Sequence, residues 1–337
     1  MKNNVKKVLI IRCGALGDLV YATSVIDAMR FEHGEDIQID FVCTPGPAKL
    51  FTKDYRVNKV FILKHKKLPI WMSSQKKEII SASKIEQYDL LINFESGKQF
   101  RSLVENIHSK EKIGYFCSKV DQGDLRHMVK ITKNVFKDLV SSENFEKSNP
   151  KLIGEDIKIV KEKYSLPQNY IVISPSNSHN KKSRLNYRAW VHENWKELIA
   201  DLSKDITLVM IGGPGEEHFF EPLKPYADNV IDLVAKTSIP ELVGIINGAK
   251  ATISTDTGTA HISSAVNTPI FCLIGPTPED VTGPYKHKDN EVYIITSDIE
   301  CRPCYKTEVM KNCNDNRCMK MITPAMVINS IKSAKIV

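Results

Sequence analysis

No run of apolar residues in this 337-residue chain approaches the roughly 20 that a helix needs to cross a bilayer. The amino-terminal MKNNVKKVLIIRCGALGDLV starts with charge and an apolar run, but Arg12 and Asp18 interrupt it. A cleaved signal peptide is therefore not expected, and the protein is read as cytoplasmic. The full G-x-G-x-x-G of a dinucleotide site is missing, which argues against a nicotinamide dehydrogenase. No D-x-D metal motif and no RNA- or DNA-binding signature occurs. Acids are absent from Tyr55 to Lys77 and from Tyr164 to His192, although both stretches carry Lys and Arg. The net charge of +7 favours acidic partners such as phosphates, nucleotides or an anionic membrane surface, and is too mild to argue for nucleic acid.

The residues that are present alternate between β-runs and helical patterns. Val8 to Arg12 is a β-run that stops at Cys13-Gly14-Ala15-Leu16-Gly17-Asp18, and a helical pattern follows from Leu19 to Arg30. Strand, glycine turn and helix start form the opening unit of a parallel α/β sheet. The glycines allow a tight turn and close approach to a ligand. Asp18 lies on the first helical turn at the carboxyl end of the strand, where such sheets bind ligands. It is either a carboxylate favoured by the helix dipole or a general base.

Further strands are expected at Ile37–Val42, Val57–Leu63, Asp89–Phe94 and Ile113–Phe116. The seven bases from Arg56 to Lys77 surround Pro69, Ile70, Trp71 and Met72. That stretch is either a solvated face or a surface for a phosphorylated acceptor in a membrane, with Lys64, Lys66 and Lys67 as candidate contacts.

A linker is expected before Leu166, dividing the chain into 1–165, 166–322 and a final helix, 323–337. The run YIVIS (Tyr170–Ser174) opens the second domain much as Val8–Arg12 opens the first. The polar and basic segment after it is a candidate phosphate-facing loop. Ile206–Ile211 leads into GGPGEE, where a carboxylate could seat a ribose or the turn could simply be solvated. The segment Ile253 to Pro278 reads as strand, polar turn, helix, strand. Its turn, STDTG, is either an ordinary helix start capped by Thr255 or Asp256 or a diphosphate cradle.

The eight cysteines fall in two sets. Cys13, Cys43, Cys117 and Cys272 are expected to be small buried hydrophobes. Cys301, Cys304, Cys313 and Cys318 have the number and spacing for a structural zinc or iron, or else are free or disulfide-capable thiols.

Taken together, VLIIRCGALGDLVYATSVIDAMR, MIGGPGEE, STDTGTAHISSAVNTPIFCLIGPTPED and CRPCYKTEVMKNCNDNRCMKMITPAMV resemble the family 9 glycosyltransferases, which include the ADP-heptose:lipopolysaccharide heptosyltransferases. The resemblance spans nearly the whole chain and is thinnest from Lys98 to Lys163. It implies a GT-B fold, with two Rossmann-like α/β domains facing across a cleft and a C-terminal helix crossing back to the first. It also implies inverting transfer of a sugar, best heptose from ADP-heptose, to lipopolysaccharide core or another envelope glycan, with no catalytic cofactor. Peripheral contact with the cytoplasmic face of the inner membrane follows from such an acceptor.

Matched residue by residue, the resemblance makes Asp18 the base, with Gly14 and Gly17 beside it as candidate donor contacts. Thr255, Asp256, Thr257, Gly258 and His261 become the donor-diphosphate motif, and Glu216 or Glu217 the acid near the nucleoside. The chain departs from the family pattern at NKKSRLNYRAW, so the phosphate-binding base is sought among Lys182, Arg184 and Arg188. Thr255 stands where Asn is common. The rival readings are a family member using another nucleotide sugar or a protein acceptor, and a non-catalytic nucleotide- or glycan-binding protein.

Overall fold

The structure is a computed structural model and describes residues 5–64, 68–120, 125–177 and 186–337. The chain divides into two compact units, Met1–Ile153 and Gly154–Val337.

The first unit is built on a five-stranded parallel sheet: β1 (Lys7–Ile11), β2 (Gln38–Cys43), β3 (Lys59–Ile62), β4 (Tyr88–Asn93) and β5 (Ser109–Gly114), in the order β3-β2-β1-β4-β5. Helices cover both faces, so the central strands are apolar throughout rather than alternating. Val8 to Ile11 are fully buried, in register with Ile39 to Val42 on one side and Leu90 to Asn93 on the other. The helix expected from Leu19 to Arg30 is two helices, Leu16–Ala22 and Ser24–His33. They meet at Thr23, whose hydroxyl donates to the Val20 carbonyl (2.7 Å) and accepts from the Lys151 amide (3.1 Å). A Thr that bonds back to its own preceding turn bends the chain locally.

Two of the seven bases between Tyr55 and Lys77 are structural. Arg56 is buried and bridges Asp54 (2.7 Å) and Asp27 (2.7 Å) while donating to the Lys151 carbonyl. Lys76 is buried, and its ammonium donates to the carbonyls of Leu68 and Gln99. Charge satisfied inside a fold cannot serve an outside partner, so the basic surface is smaller than composition suggests.

The second unit carries a six-stranded parallel sheet: β6 (Tyr170–Ser174), β7 (Thr207–Met210), β8 (Val230–Asp232), β9 (Ala251–Thr255), β10 (Ile270–Leu273) and β11 (Val292–Ile295), ordered β8-β7-β6-β9-β10-β11. The edge strand β11 has no counterpart in the sequence reading. The helix Ile157–Lys163, assigned there to the first domain, packs on the helix Ile239–Asn247 of the second unit. The Glu155 amide donates to the Pro240 carbonyl, and this contact draws the division of the chain back to residue 153. The last helix, Pro324–Ser333, buries Val327 and Ile331 in the second unit's core against the helix His192–Leu202.

In both sheets the winding reverses at one point, between β1 and β4 in the first and between β6 and β9 in the second. The chain leaves adjacent strands in opposite directions there, and a crevice opens at their carboxyl ends.

Candidate active site

At the first switch point, Arg12 and Cys13 follow the end of β1, and the helix Leu16–Ala22 starts three residues after Cys13. Asp18 lies in its first turn and reaches back, so that its Oδ2 accepts the Ala15 amide at 3.0 Å. Its Oδ1 pairs with Arg12 Nη2 at 3.0 Å. Gly14 is required here: a Cβ on it would stand 2.5 Å from the Asp18 Cβ and 2.6 Å from Oδ2. The Asp18 side chain is 37% exposed, whereas that of Arg12 is only 13% exposed.

Arg12 also receives a second carboxylate. Glu95, two residues after the end of β4, places Oε1 at 3.6 Å from Arg12 Nη1 and accepts the Cys13 amide at 2.7 Å. Burial, and after it the negative charge of Glu95, pushes the Cys13 thiol well above its ordinary range, so it stays protonated. Sequence reasoning singled out Asp18 but gave no role to Arg12 or Glu95. The signal was a charged residue at the end of each of two apolar runs, and only the strand order makes those ends neighbours. Lys64 is exposed, with its amide donating to Gln75. Lys66 and Lys67 lie outside the described residues, as do Lys182 and Arg184.

At the second switch point, β6 and β9 end side by side, with Ser174 opposite Ser254. The helix after β9 is Gly258–Ala265, and its N-cap is Thr257 rather than Thr255 or Asp256. Thr255 is the last residue of β9 and fully buried. Thr257, Gly258 and Thr259 are half-buried at the positive end of the helix dipole. The Ser174 hydroxyl donates to the Thr259 hydroxyl (3.1 Å), and Ser254 and Thr257 exchange a hydrogen bond at 3.2 Å, tying both strand ends to the helix start. His261 is on the same helix, almost fully buried.

Arg188 sits against this loop. Its Nη1 donates to the Asp256 carbonyl (3.2 Å) and pairs with Asp256 Oδ2 at 3.4 Å, and its guanidinium lies over the Tyr305 ring, 4.9 Å from the centroid. Of the three bases weighed from the sequence, this is the one the described residues include.

Glu216, after β7, accepts on one oxygen, Oε2, from the Ser176 hydroxyl (2.7 Å) and the Gly213 amide (2.9 Å). Gly212 leaves room for that arrangement, since a Cβ there would press on Phe220 and Ser176. Glu217 is exposed at the start of a short helix.

Of the first cysteine set, Cys13, Cys43 and Cys272 are buried and Cys117 is half-buried. The second set lines one pocket of about 500 Å³ together with Tyr187 and Pro276. Burial, with the neighbouring Cys304 and Cys301 thiols, pushes the Cys318 thiol up to about 11. Among the described residues no three His, Cys, Asp or Glu side chains are gathered closely enough to hold one metal ion, so the four thiols as placed do not form a ligand set. The segment bearing them is tied to the crevice loops: the Cys304 and Tyr305 amides donate to the Pro276 carbonyl, and Asn316 donates to the Asn186 and Ala189 carbonyls.

Comparison with known proteins bears on these crevices. The model of glycosyltransferase family 9 (heptosyltransferase) matches residues 108–314. The chain is 24% identical over 333 residues to lipooligosaccharide heptosyltransferase 2 of Campylobacter jejuni, covering 94% of this chain and 95% of that one. It is 23% identical over 307 residues to lipopolysaccharide heptosyltransferase 1 of Escherichia coli, covering 83% and 91%. The solved structure of the E. coli ADP-heptose lipopolysaccharide heptosyltransferase II superposes with a TM-score of 0.75 over 97% of this chain and 98% of that one, at 16% identity. The two parallel sheets are those of the GT-B fold expected from the sequence.

Proposed function

The chain belongs to glycosyltransferase family 9, and from that premise we propose that it transfers heptose from ADP-heptose to a lipopolysaccharide core, with inversion at the anomeric carbon. The observation that carries this reading is the second crevice. There two strand ends, a helix start and Glu216 are joined by hydroxyl and carboxylate hydrogen bonds, an arrangement suited to a nucleoside diphosphate. Two relatives are heptosyltransferases and a structural neighbour is an ADP-heptose transferase, which supports heptose as the sugar and ADP as its carrier.

In this reading Asp18 accepts the proton of the acceptor hydroxyl as its oxygen bonds to the anomeric carbon and the bond to the diphosphate breaks. A positioned base contributes about 10²–10⁴-fold. Thr257, Gly258 and Thr259 at the helix start receive the leaving diphosphate, with His261 behind them and Arg188 holding Asp256 in place. Glu216, whose Oε1 has no hydrogen bond among the described residues, hydrogen-bonds the ribose. The acceptor's phosphates meet Lys64, Lys66 and Lys67, while Trp71 and Met72, which are 73% and 54% exposed, rest on the cytoplasmic face of the membrane.

Donor binding is expected to need no divalent ion. A structural zinc or iron on the four late cysteines would require their segment to contract around it. Metal analysis of protein purified without chelator tests this, and less than about one ion per four thiols ends the idea.

The experiment for the whole reading offers the protein a panel of nucleotide-linked sugars with heptose-deficient lipopolysaccharide and identifies products by mass. A gain of one heptose from ADP-heptose alone is expected. Transfer from a different donor would replace the sugar assignment. Binding of ADP with no transfer from any donor would favour the non-catalytic reading.

A further inference from the structure

We propose that Arg12 and Glu95 are positioning residues that hold Asp18 in its working orientation and keep it able to take up a proton. The inference rests on the reading of Asp18 as the base. Two chain segments that are distant in sequence, 12–18 and 94–95, meet at the Arg12 guanidinium. Its Nη2 holds Asp18 Oδ1 at 3.0 Å. Its Nε donates to the Asp18 carbonyl at 3.3 Å, and its Nη1 donates to the Phe94 carbonyl at 3.1 Å and faces Glu95 at 3.6 Å. Glu95 is held in turn through the Cys13 amide, and its own amide donates to Asn93 Oδ1. A planar guanidinium bonded on three sides has little rotational freedom left, and a carboxylate bonded to it and to the Ala15 amide inherits that rigidity.

The charges explain why two acids share one base. During transfer the acceptor's O–H proton passes to an Asp18 oxygen, and Asp18 becomes neutral. With Asp18 as its sole partner, Arg12 would then be a poorly hydrated cation with nothing opposite it, which is costly. Glu95 faces Arg12 as well, so the cation has a carboxylate opposite it before and after the proton moves. The exposures follow the same order: Glu95 and Arg12 side chains are 10% and 13% exposed and Asp18 37%, so the acid that must meet substrate is the outermost.

The test compares the full chain with Arg12→Gln, Arg12→Lys, Glu95→Gln and Asp18→Asn, using ADP-heptose and heptose-deficient lipopolysaccharide. Donor affinity is read by ADP calorimetry, and Asp18 accessibility by water-soluble carbodiimide labelling followed by peptide mass spectrometry. Arg12→Gln is expected to lower kcat about 30–100-fold, the scale of an ångström's misplacement of a catalytic group, with ADP affinity unchanged and Asp18 labelling raised several-fold. Arg12→Lys should recover part of both. Glu95→Gln keeps an acceptor for the Cys13 amide and so serves where an Arg12 variant folds poorly. It should cost about 3–10-fold in kcat, a smaller version of the same effect. Parent-like kcat in Arg12→Gln, a fall in ADP affinity matching the fall in kcat, or unchanged labelling of Asp18 overturns the proposal. Parent-like turnover in Asp18→Asn instead removes the base assignment beneath it. The labelling arm reports on positioning even if this substrate pair proves inactive.

Discussion

Substituting Gly14 by Ala tests whether the position of Asp18, rather than its mere presence, sets the rate. The added Cβ would lie 2.5 Å from the Asp18 Cβ, 2.6 Å from Oδ2 and 2.9 Å from Cγ. Carbon atoms in comfortable contact stand about 3.5–4.0 Å apart, so roughly 1 Å must be found. Rotating the Asp18 side chain cannot supply it, because the nearest atom is the Cβ fixed to the helix backbone. The first helical turn must shift, straining the 3.0 Å bonds from Oδ2 to the Ala15 amide and from Oδ1 to Arg12. A displacement of that size costs about 10²-fold in a positioned reaction. Overpacking of this kind costs about 1–3 kcal/mol of stability, and Gly14 is not among the glycines at positive φ, so no backbone strain adds to it. In a unit of this size that is a fall of roughly 2–12 °C in Tm. The assay is steady-state transfer with ADP affinity and a thermal melt measured in parallel. Gly46→Ala, at a position where an added Cβ meets nothing within 4 Å, is the control and should keep the parent's kcat. If Gly14→Ala turned over like the parent, the claim that this glycine exists to admit Asp18 would be refuted.

Glu216→Gln should raise the donor KM about 10-fold with little change in kcat, the scale of losing one hydrogen bond to a charged group; an unchanged KM would separate Glu216 from the donor. Asp40 is fully buried and accepts from Tyr88 (2.5 Å), and burial raises its pKa above the ordinary carboxylate value. A raised folded-state pKa means that its contribution is most favourable below the unfolded value and is lost as pH rises through the folded one. Asp40→Asn should therefore flatten the decline in stability between acid and neutral pH, measured by urea unfolding across that range; an equally steep decline would contradict it. Arg56→Met leaves Asp54 buried without its partner and should cost the first unit about 3–5 kcal/mol in denaturant unfolding. A loss below about 1 kcal/mol would instead mark Arg56 as a surface base.

The sheets were legible because parallel strands covered on both faces are continuous apolar runs, and runs such as VLII, DLLINF, YIVIS and ITLVMI cannot be hidden any other way. β11 escaped because an edge strand of four residues, with Tyr293 half-buried and Ile294 exposed, carries too short a pattern to stand out. Asp18 and the 256–261 segment stood out because glycine turns and small polar residues at strand ends are local signals. The contact of Glu216, rather than Glu217, with Ser176 did not, since it joins residues forty positions apart.

The amino-acid order by itself determined most of the strands and helices, β11 and the break at Thr23 apart, because hydrophobic period, capping and glycine freedom act over a few residues. Tertiary structure decided which charged groups share a site. Arg12 became the partner of Glu95 only when β4 paired beside β1. Arg188 met Asp256 only when the chain after β6 came back to the end of β9. Arg56 changed from apparent surface charge to buried tie only when Asp27, Asp54 and residue 151 closed around it. Coulombic and hydrogen-bonding energies fall away within a few ångströms, so they depend on distance in space, which position along the chain does not encode.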